Sequence, residues 1–237
     1  MPPEPARGSP SRAGLAVYLH RRVLAMLFLG FSAGLPFPLV FATLSAWLAT
    51  AGVSRSSIGM FAWVGMAYAL KFLWAPLVDR MPLPGLTAWL GRRRSWMLVA
   101  QAGVILALLV LAGADPATGL RQVALLALAV AGCSATQDIA IDAWRIEAVD
   151  PRLQGAMAAS YQFGYRLAML AAGAGALFVA DFLSWSAAYR GMAALMLVGM
   201  ATVFIIGEPA PAVAVPDASR DGRQGWAIRL RRWFLSA

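Results

Sequence analysis

The sequence predicts an all-α membrane protein that crosses the bilayer six times, and three observations carry that prediction. The 237 residues are 60% hydrophobic and only 13% charged, whereas a soluble domain is nearer half apolar and a quarter charged. The apolar residues form six runs of the length that a spanning helix needs, about 20 residues. The charged residues lie mainly between those runs. This composition excludes an ordinary soluble enzyme, a disordered chain and a fibrous protein.

The six apolar runs define the domain organisation. They are Val23–Ala49, Ile58–Val78, Trp96–Ala114, Val123–Trp144, Gly155–Ala180 and Tyr189–Gly207. We therefore expect a basic N-terminal tail over residues 1–22, a transmembrane unit over 23–207 and a polar linker over 208–237. The first run is too long for a cleaved signal peptide, whose apolar region has about 7–15 residues.

The distribution of positive charge predicts the orientation. The formal net charge is +9, which in a soluble protein would suggest a nucleic-acid partner, but here the arginines flank apolar runs. With the N-terminus inside, the cytoplasmic segments hold fifteen arginines: 7, 12, 21, 22, 80, 92, 93, 94, 145, 152, 220, 223, 229, 231 and 232. The opposite face holds three, namely Arg55, Arg121 and Arg190. The positive-inside rule then places both termini in the cytoplasm, with lipid rather than nucleic acid as the partner.

Two sequence features of the first and fifth spans predict how the helices pack. A small residue recurs at every fourth position of the fifth span: Ser160, Gly164, Ala168, Ala172, Ala176 and Ala180. Small residues let helix backbones approach closely in lipid, so we expect this stripe to be a helix interface. Pro36 and Pro38 should bend or break the first span near its middle. The carbonyl groups freed there need a partner from protein or water.

The scarcity of cysteine and histidine excludes several kinds of site. Cys133 and His20 are the single residues of their types, so the sequence offers neither a disulfide framework nor a Cys/His metal site. We expect no cofactor and no resident metal. An intramembrane enzyme is disfavoured because a Ser/His dyad is missing and Asp138 and Asp142 lie one turn apart on one helix.

Four ionisable residues lie inside the predicted spans, and these residues are the main functional signal. At 1.5 Å per residue, Lys71, Asp138 and Arg166 come from three helices into one layer, with Asp142 about one turn nearer the cytoplasm. Polar residues occupy the same helix faces: Tyr68, Ser134, Gln137, Tyr161, Gln162 and Tyr165. One interpretation is a wet pocket for an anionic, hydroxyl-rich solute in which Asp138 or Asp142 carries a proton. The other is an ion-pair network that only fixes helix register.

A second group of charges lies in the predicted cytoplasmic connection between spans two and three. It consists of Asp79, Arg80, Arg92, Arg93 and Arg94. We expect either a charged hairpin that pairs with a neighbouring connection or a solvated topology anchor. Partners for it are available on the next cytoplasmic turn, at Arg145, Glu147, Asp150 and Arg152.

Five segments resemble the AmpG-type muropeptide permeases of the major facilitator superfamily, which are similar to the acetyl-coenzyme A transporters. They are GFSAGLP (Gly30–Pro36), KFLWAPLVDR (Lys71–Arg80), GRRRSW (Gly91–Trp96), SATQDIAIDAW (Ser134–Trp144) and GYRLAML (Gly164–Leu170). The resemblance implies a bacterial inner-membrane symporter that imports anhydromuropeptides with protons for cell-wall recycling. The proton gradient would be its driving force.

The resemblance also assigns roles to particular residues. It matches Gln137, Asp138 and Asp142 to the family's polar stretch on the fourth span, Lys71 to its intramembrane lysine and Tyr165–Arg166 to its Tyr-Arg pair. Together with the polar helix faces, this predicts substrate contacts from Lys71, Tyr68, Gln137, Tyr161, Gln162, Tyr165 and Arg166. Proton coupling is expected at Asp138 or Asp142. The resemblance implies that the Asp79–Arg80 pair and the run Arg92, Arg93 and Arg94 form the superfamily's gating hairpin. Two departures stand out there: Ala75 replaces the usual glycine, and ten residues, 81–90, precede the Gly-Arg run.

The resemblance covers one half of a superfamily fold, a 3+3 inverted repeat. Such transporters bind substrate between two halves, so the missing C-terminal half or a second copy is an expected partner. The chain would then be a truncated product, a fragment or a dimerising half. The alternatives are a transporter of acyl-CoA or another anionic solute, and a non-transporting partner subunit.

Overall fold

The computed structural model describes residues 17–148 and 151–209, and all regular structure within these residues is helical. Six helical units are long and apolar enough to cross a membrane, which confirms the predicted fold class. Spans one to six are Arg21–Thr50, Arg55–Leu73, Arg92–Leu111, Leu120–Ala148, Pro151–Phe182 and Trp185–Ile205. The predicted N-terminal tail up to residue 16, Asp150 and the linker from residue 210 lie outside the described residues.

The six spans pack as two groups around spans one and four. Span one contacts spans five and six, whereas span four contacts spans three and two. Span six also packs against span three and so closes the bundle on one side. Spans one and four therefore occupy the middle of the bundle, while span two and much of span five present open faces.

The small-residue stripe of span five is a helix interface, as the sequence predicts. Ser160, Gly164, Ala168, Ala172 and Ala176 are all buried. A Cβ atom on Gly30 or Gly34 of span one would collide with the backbone of Tyr161 or Tyr165, and one on Gly164 would collide with the carbonyl of Leu27. The two backbones are thus in direct contact, which is the form of packing that associates helices in lipid.

Span one is broken around its two prolines, as expected. It consists of three helical pieces, Arg21–Gly34, Pro36–Val40 and Ala42–Thr50. The last break is at Phe41, whose backbone angles are φ −117° and ψ −94°. The carbonyl of Leu39 beside this break accepts a hydrogen bond from the hydroxyl of Tyr189 at 2.9 Å. A protein group therefore satisfies this backbone carbonyl at depth.

Span five has its own irregularity opposite the break in span one. The segment Ala171–Gly175 is a single π-helical turn between two α-helical pieces, Gln154–Leu170 and Ala176–Phe182. The hydroxyl of Thr43, in span one, donates to the carbonyl of Ala172 at 2.7 Å. The irregular turns of two neighbouring helices thus contact each other, and π-turns occur frequently at functional sites.

Span two is the least regular helix. It alternates α-helix and 3₁₀-helix from Arg55 to Leu73 and is continued by a short helix, Ala75–Arg80. The sequence predicts one unbroken helix as far as Val78, whereas the structure divides it. Trp74 separates the two pieces, and its indole N–H donates to the hydroxyl of Thr136 in span four at 3.1 Å. Another short helix, Leu86–Leu90, leads to span three through Gly91, which has φ +86°.

Candidate functional site

Span four carries a row of buried polar atoms that lack hydrogen-bond partners among the described residues. They are the hydroxyl of Ser134, both amide atoms of Gln137 and Oδ1 of Asp138. The hydroxyl of Tyr68, on span two, is buried beside that of Ser134, and neither has another partner in this part of the chain. Since leaving a buried polar group unpaired costs about 1–3 kcal/mol, this row has the chemistry of a surface that binds water or a solute.

Asp138 is the point where three spans meet. Lys71 of span two lies within electrostatic range of its carboxylate, and Tyr161 of span five lies next to it. We refer to Tyr68, Lys71, Ser134, Gln137, Asp138 and Tyr161 as the polar cluster. The sequence predicts that these residues share one pocket, from their depth and from helix periodicity.

The two tyrosines of span five extend the polar cluster along that helix. The ring centroids of Tyr161 and Tyr165 are 6.1 Å apart. Tyr165 lies within electrostatic range of both Asp138 and Arg166. Tyr165 therefore forms the connection between the buried carboxylate and the cation of span five.

Arg166 and Gln162 do not enter the polar cluster. Both side chains are exposed on the open face of span five. Within the described residues, the groups that act electrostatically on Asp138 are Lys71 and Asp142. The structure therefore brings Lys71 and Asp138 together, and it leaves Arg166 on the adjoining surface.

Asp142 lies one turn along span four and has a partner of its own. Its Oδ1 atom is 3.3 Å from the guanidinium of Arg145, three residues further along the helix. The Asp142 side chain is nearly half exposed, and it remains within electrostatic range of Asp138 and Tyr161. Asp138 is thus the buried carboxylate of the pair and Asp142 the more accessible one.

The predicted hairpin charges lie together at one end of the bundle, which we call the basic end. Arg93, at the start of span three, contacts Asp79 at 2.6 Å and Glu147, at the end of span four, also at 2.6 Å. Only 8% of the Arg93 side chain is exposed. This network joins the short helix Ala75–Arg80 to spans three and four.

The other arginines of the hairpin do not join that network. Arg94 donates to the carbonyls of Val203 and Phe204 near the end of span six, at 2.8 and 3.2 Å. Arg92 is half-buried, and Arg80 is exposed. Of the three consecutive arginines, therefore, one binds carboxylates and one binds a helix terminus.

Glu208 was not singled out from the sequence, yet it holds the basic end together. Its two carboxylate oxygens accept the backbone N–H groups of Arg93 and Arg94 at 2.8 and 3.2 Å. A carboxylate at a helix N-terminus is favourable because it satisfies free N–H groups and complements the helix dipole. The acidic residue comes 115 positions after the N–H group that it caps, so local sequence offers no signal for it.

Within residues 17–148 and 151–209, no group of three or more His, Cys, Asp or Glu side chains could hold a metal ion. Cys133 is a free, half-buried cysteine on span four. The chemistry available to the polar cluster is therefore that of cations, carboxylates, amides and phenols.

Comparisons with known proteins show what the chain is similar to. The family model described as acetyl-coenzyme A transporter 1 matches residues 22–118. The anhydromuropeptide permease of Escherichia coli K12 is 40% identical over 203 residues, which is 85% of this chain and 40% of that protein. Over most of its length, the chain is similar to the AmpG-type permeases.

A second named relative agrees with this similarity, and a third protein aligns over most of the chain. A protein named AmpG 4 from Rickettsia felis is 35% identical over 192 residues, 80% of this chain and 46% of its own length. A protein from Haemophilus influenzae is 38% identical over 215 residues, 90% of this chain and 49% of its own length. The chain thus spans 40–49% of the length of these curated relatives. The six membrane-length helices and the similarity to permeases indicate an integral membrane protein.

Proposed function

We propose that this AmpG-type chain forms one six-span half of a proton-coupled permease that carries anionic sugar–peptides inward across the bacterial inner membrane. The supporting observation is the polar cluster, in which Lys71, Asp138 and Tyr161 from three spans surround unpartnered polar atoms. The cargo class is that of the E. coli relative named anhydromuropeptide permease. Such cargo carries carboxylates and sugar hydroxyls, which suit a site of cations, amides and phenols.

Each part of the polar cluster has a role in this proposal. Lys71 binds an anionic group of the cargo, while Gln137 and the tyrosines bind its hydroxyl and amide groups. Asp138 takes up the proton, because its carboxylate lies among buried groups where three spans meet. Asp142 exchanges protons with the accessible side, since it lies one turn away and is nearly half exposed.

Arg166 and Gln162 lie on the face of span five that we propose a second unit covers. Both are exposed on span five in this chain, and an uncovered guanidinium at membrane depth is costly unless it faces protein or water. We propose that a second six-span unit, either the C-terminal half or a second copy, covers this face. The cargo then binds between the two units, as is common in transporters of this architecture.

The Arg93 network forms the gate on the cytoplasmic side. The positive-inside rule makes the basic end cytoplasmic, so the links from Arg93 to Asp79 and Glu147 close that side of the bundle. Opening toward the cytoplasm separates the continuation of span two from span four. The network therefore breaks and re-forms once in each transport cycle.

One alternative cargo has a specific observation in its favour. The family model that matches residues 22–118 is described as an acetyl-coenzyme A transporter, and this range contains Lys71. Acyl-CoA is also anionic, so the same lysine would serve it. The E. coli relative named anhydromuropeptide permease, which aligns over 85% of the chain, favours the anhydromuropeptide. Because the named relatives are permeases and transporters, we propose no enzymatic activity.

Transport assays in membrane vesicles test the proposed function. The full chain is produced in cells that lack their own anhydromuropeptide permease, alone or together with the remaining part of the E. coli relative. Vesicles are given an inward proton gradient, and uptake of radiolabelled anhydromuropeptide is followed with acetyl-CoA as the competing cargo. We expect accumulation when both units are present and its loss on addition of a protonophore.

The variants Asp138→Asn and Asp181→Asn make a matched pair in this assay. Both replace an aspartate of a span, but Asp181 is exposed at the far end of span five. Asp138→Asn should lose proton-driven accumulation while the protein remains in the membrane, whereas Asp181→Asn should keep it. Equal uptake by the two variants contradicts the role of Asp138, and no uptake by the complete assembly contradicts the transporter proposal.

A further inference from the structure

An apolar groove runs along span one on the side away from the polar cluster. Its half nearer the basic end has a volume of about 260 Å³ and is bordered by Leu24, Phe28 and Ile205. Its deeper half has a volume of about 230 Å³ and is bordered by Phe28, Phe31 and Val198. Phe28 borders both halves, so the two follow one another along span one.

The groove opens toward the lipid, as the contacts of span one indicate. One side of span one packs through Gly30 and Gly34 onto span five. Another side packs through Ser32 onto Gly199 of span six. Leu24, Phe28 and Phe31 follow the i, i+4, i+7 spacing of the face between these two contacts. That face is separate from spans two and four, which supply Lys71 and Asp138.

An arginine is fixed at the mouth of this groove. Arg21 borders the groove at the basic end, and its guanidinium donates to the carbonyl of Ile205 at 3.0 Å. This single bond uses one of the five N–H donors of the side chain. Arg21 forms no ion pair with any acidic residue in the described part of the chain. A guanidinium held in this way is suited to a phosphate group.

The surroundings of Arg21 are also positive. Arg22 donates to the carbonyl of Ala148, and Arg94 donates to the carbonyls of Val203 and Phe204. Glu208, the acidic residue that follows span six, has both carboxylate oxygens on the N–H groups of span three. The mouth of the groove therefore carries an excess of positive charge.

We propose that this groove binds one anionic phospholipid of the leaflet at the basic end. Its phosphate contacts Arg21, and one acyl chain lies along Leu24, Phe28 and Phe31. From Arg21 to Phe31 the helix rises about 15 Å, roughly half the hydrocarbon thickness and enough for most of an acyl chain. The lipid joins span one to span six on the outside of the bundle, which is independent of the cargo site.

Lipid binding to the purified full chain tests this site. The chain is kept in a neutral detergent and titrated with phosphatidylglycerol or phosphatidylcholine, and bound lipid is measured by native mass spectrometry. We expect tighter binding of phosphatidylglycerol. Arg21→Ala should weaken it about fivefold, the effect of one basic side chain at a lipid surface. Arg190→Ala, which removes an exposed arginine at the other end of span six, should leave the binding unchanged.

Two further variants separate the headgroup from the acyl chain. Arg21→Lys keeps the charge without the planar fork and should retain most of the binding. Leu24→Trp fills the groove and should weaken both lipids equally. Equal losses in Arg21→Ala and Arg190→Ala, or unchanged binding in Leu24→Trp, would overturn the proposal. Size-exclusion profiles and circular dichroism of each variant confirm that the compared proteins are folded.

Discussion

The guanidinium of Arg93 and the carboxylate of Glu147 lie 2.6 Å apart and join the start of span three to the end of span four. Arg93 also reaches Asp79 at 2.6 Å. The three side chains differ in exposure: 8% for Arg93, 24% for Glu147 and 45% for Asp79. The buried guanidinium therefore depends more on Glu147 than on Asp79, because solvent screens the more exposed pair.

Replacement of Glu147 should destabilise the bundle more than replacement of Asp79. Glu147→Gln removes the negative charge of a carboxylate that accepts three hydrogen bonds from Arg93. We expect the free energy of unfolding to fall by about 1–3 kcal/mol. Asp79→Asn should cost less than about 1 kcal/mol. The measurement is thermal unfolding of the purified chain in detergent. Asp115→Asn, in the loop after span three, is the control, and equal shifts in all three variants would contradict the ranking.

The contact between spans one and five predicts a strong effect at Gly164. Gly164→Ala places a methyl group against the carbonyl of Leu27 and forces the two backbones apart. We expect the free energy of unfolding to fall by more than about 1 kcal/mol, although alanine has the better helix propensity. Gly155→Ala on the same helix meets no atom within 4 Å, so it should be neutral or stabilising. Urea titration followed by tryptophan fluorescence measures both, and a neutral Gly164→Ala would show that the helices separate at little cost.

Replacement of Gly91 by alanine should destabilise the protein for two reasons. A control variant separates them. Gly91 has φ +86°, and a Cβ atom there would overlap the side chain of Glu208. Gly85 has φ +78° and no atom within 4 Å of such a Cβ. Gly85→Ala should cost the backbone strain alone, about 1–3 kcal/mol, and Gly91→Ala should cost more because it also displaces the cap on span three.

Hydrogen exchange of the first turn of span three measures this difference. Faster exchange at Arg93 and Arg94 is expected for Gly91→Ala and also for Glu208→Ala, since both remove the acceptor of these N–H groups. If Gly85→Ala gave the same local increase, the Glu208 cap would not be the cause.

Tyr189→Phe should destabilise the protein through the break in span one. The substitution leaves the carbonyl of Leu39 without the hydroxyl that it accepts at 2.9 Å. Hydrogen bonds between spans are worth about 0.6–1.5 kcal/mol, and we expect a loss of that size in thermal unfolding. Tyr18→Phe is the control, because Tyr18 is 41% exposed. An identical midpoint in the two variants would mean that another group satisfies the Leu39 carbonyl.

Much of the candidate site could be predicted because helix periodicity places residues on faces. Lys71, Asp138 and Tyr161 come from different spans, but each is near mid-membrane and on a polar face, so their convergence follows from depth and periodicity. The position of Arg166 could not be predicted in this way. Its depth matches the others, yet the rotation of span five directs it to the open face, and that rotation depends on contacts along the whole helix.

Four features can be predicted from the amino-acid sequence alone: the number of spans, their approximate bounds, the break in span one and the small-residue interface of span five. These features depend on hydropathy, proline and local spacing, all of which act within a few turns of one helix. The tertiary structure decided that Arg93 rather than Arg92 or Arg94 binds Asp79 and Glu147, that Glu208 caps span three and that Tyr189 reaches Leu39. These pairs are far apart along the chain, and only the packing of whole helices fixes which side chains meet.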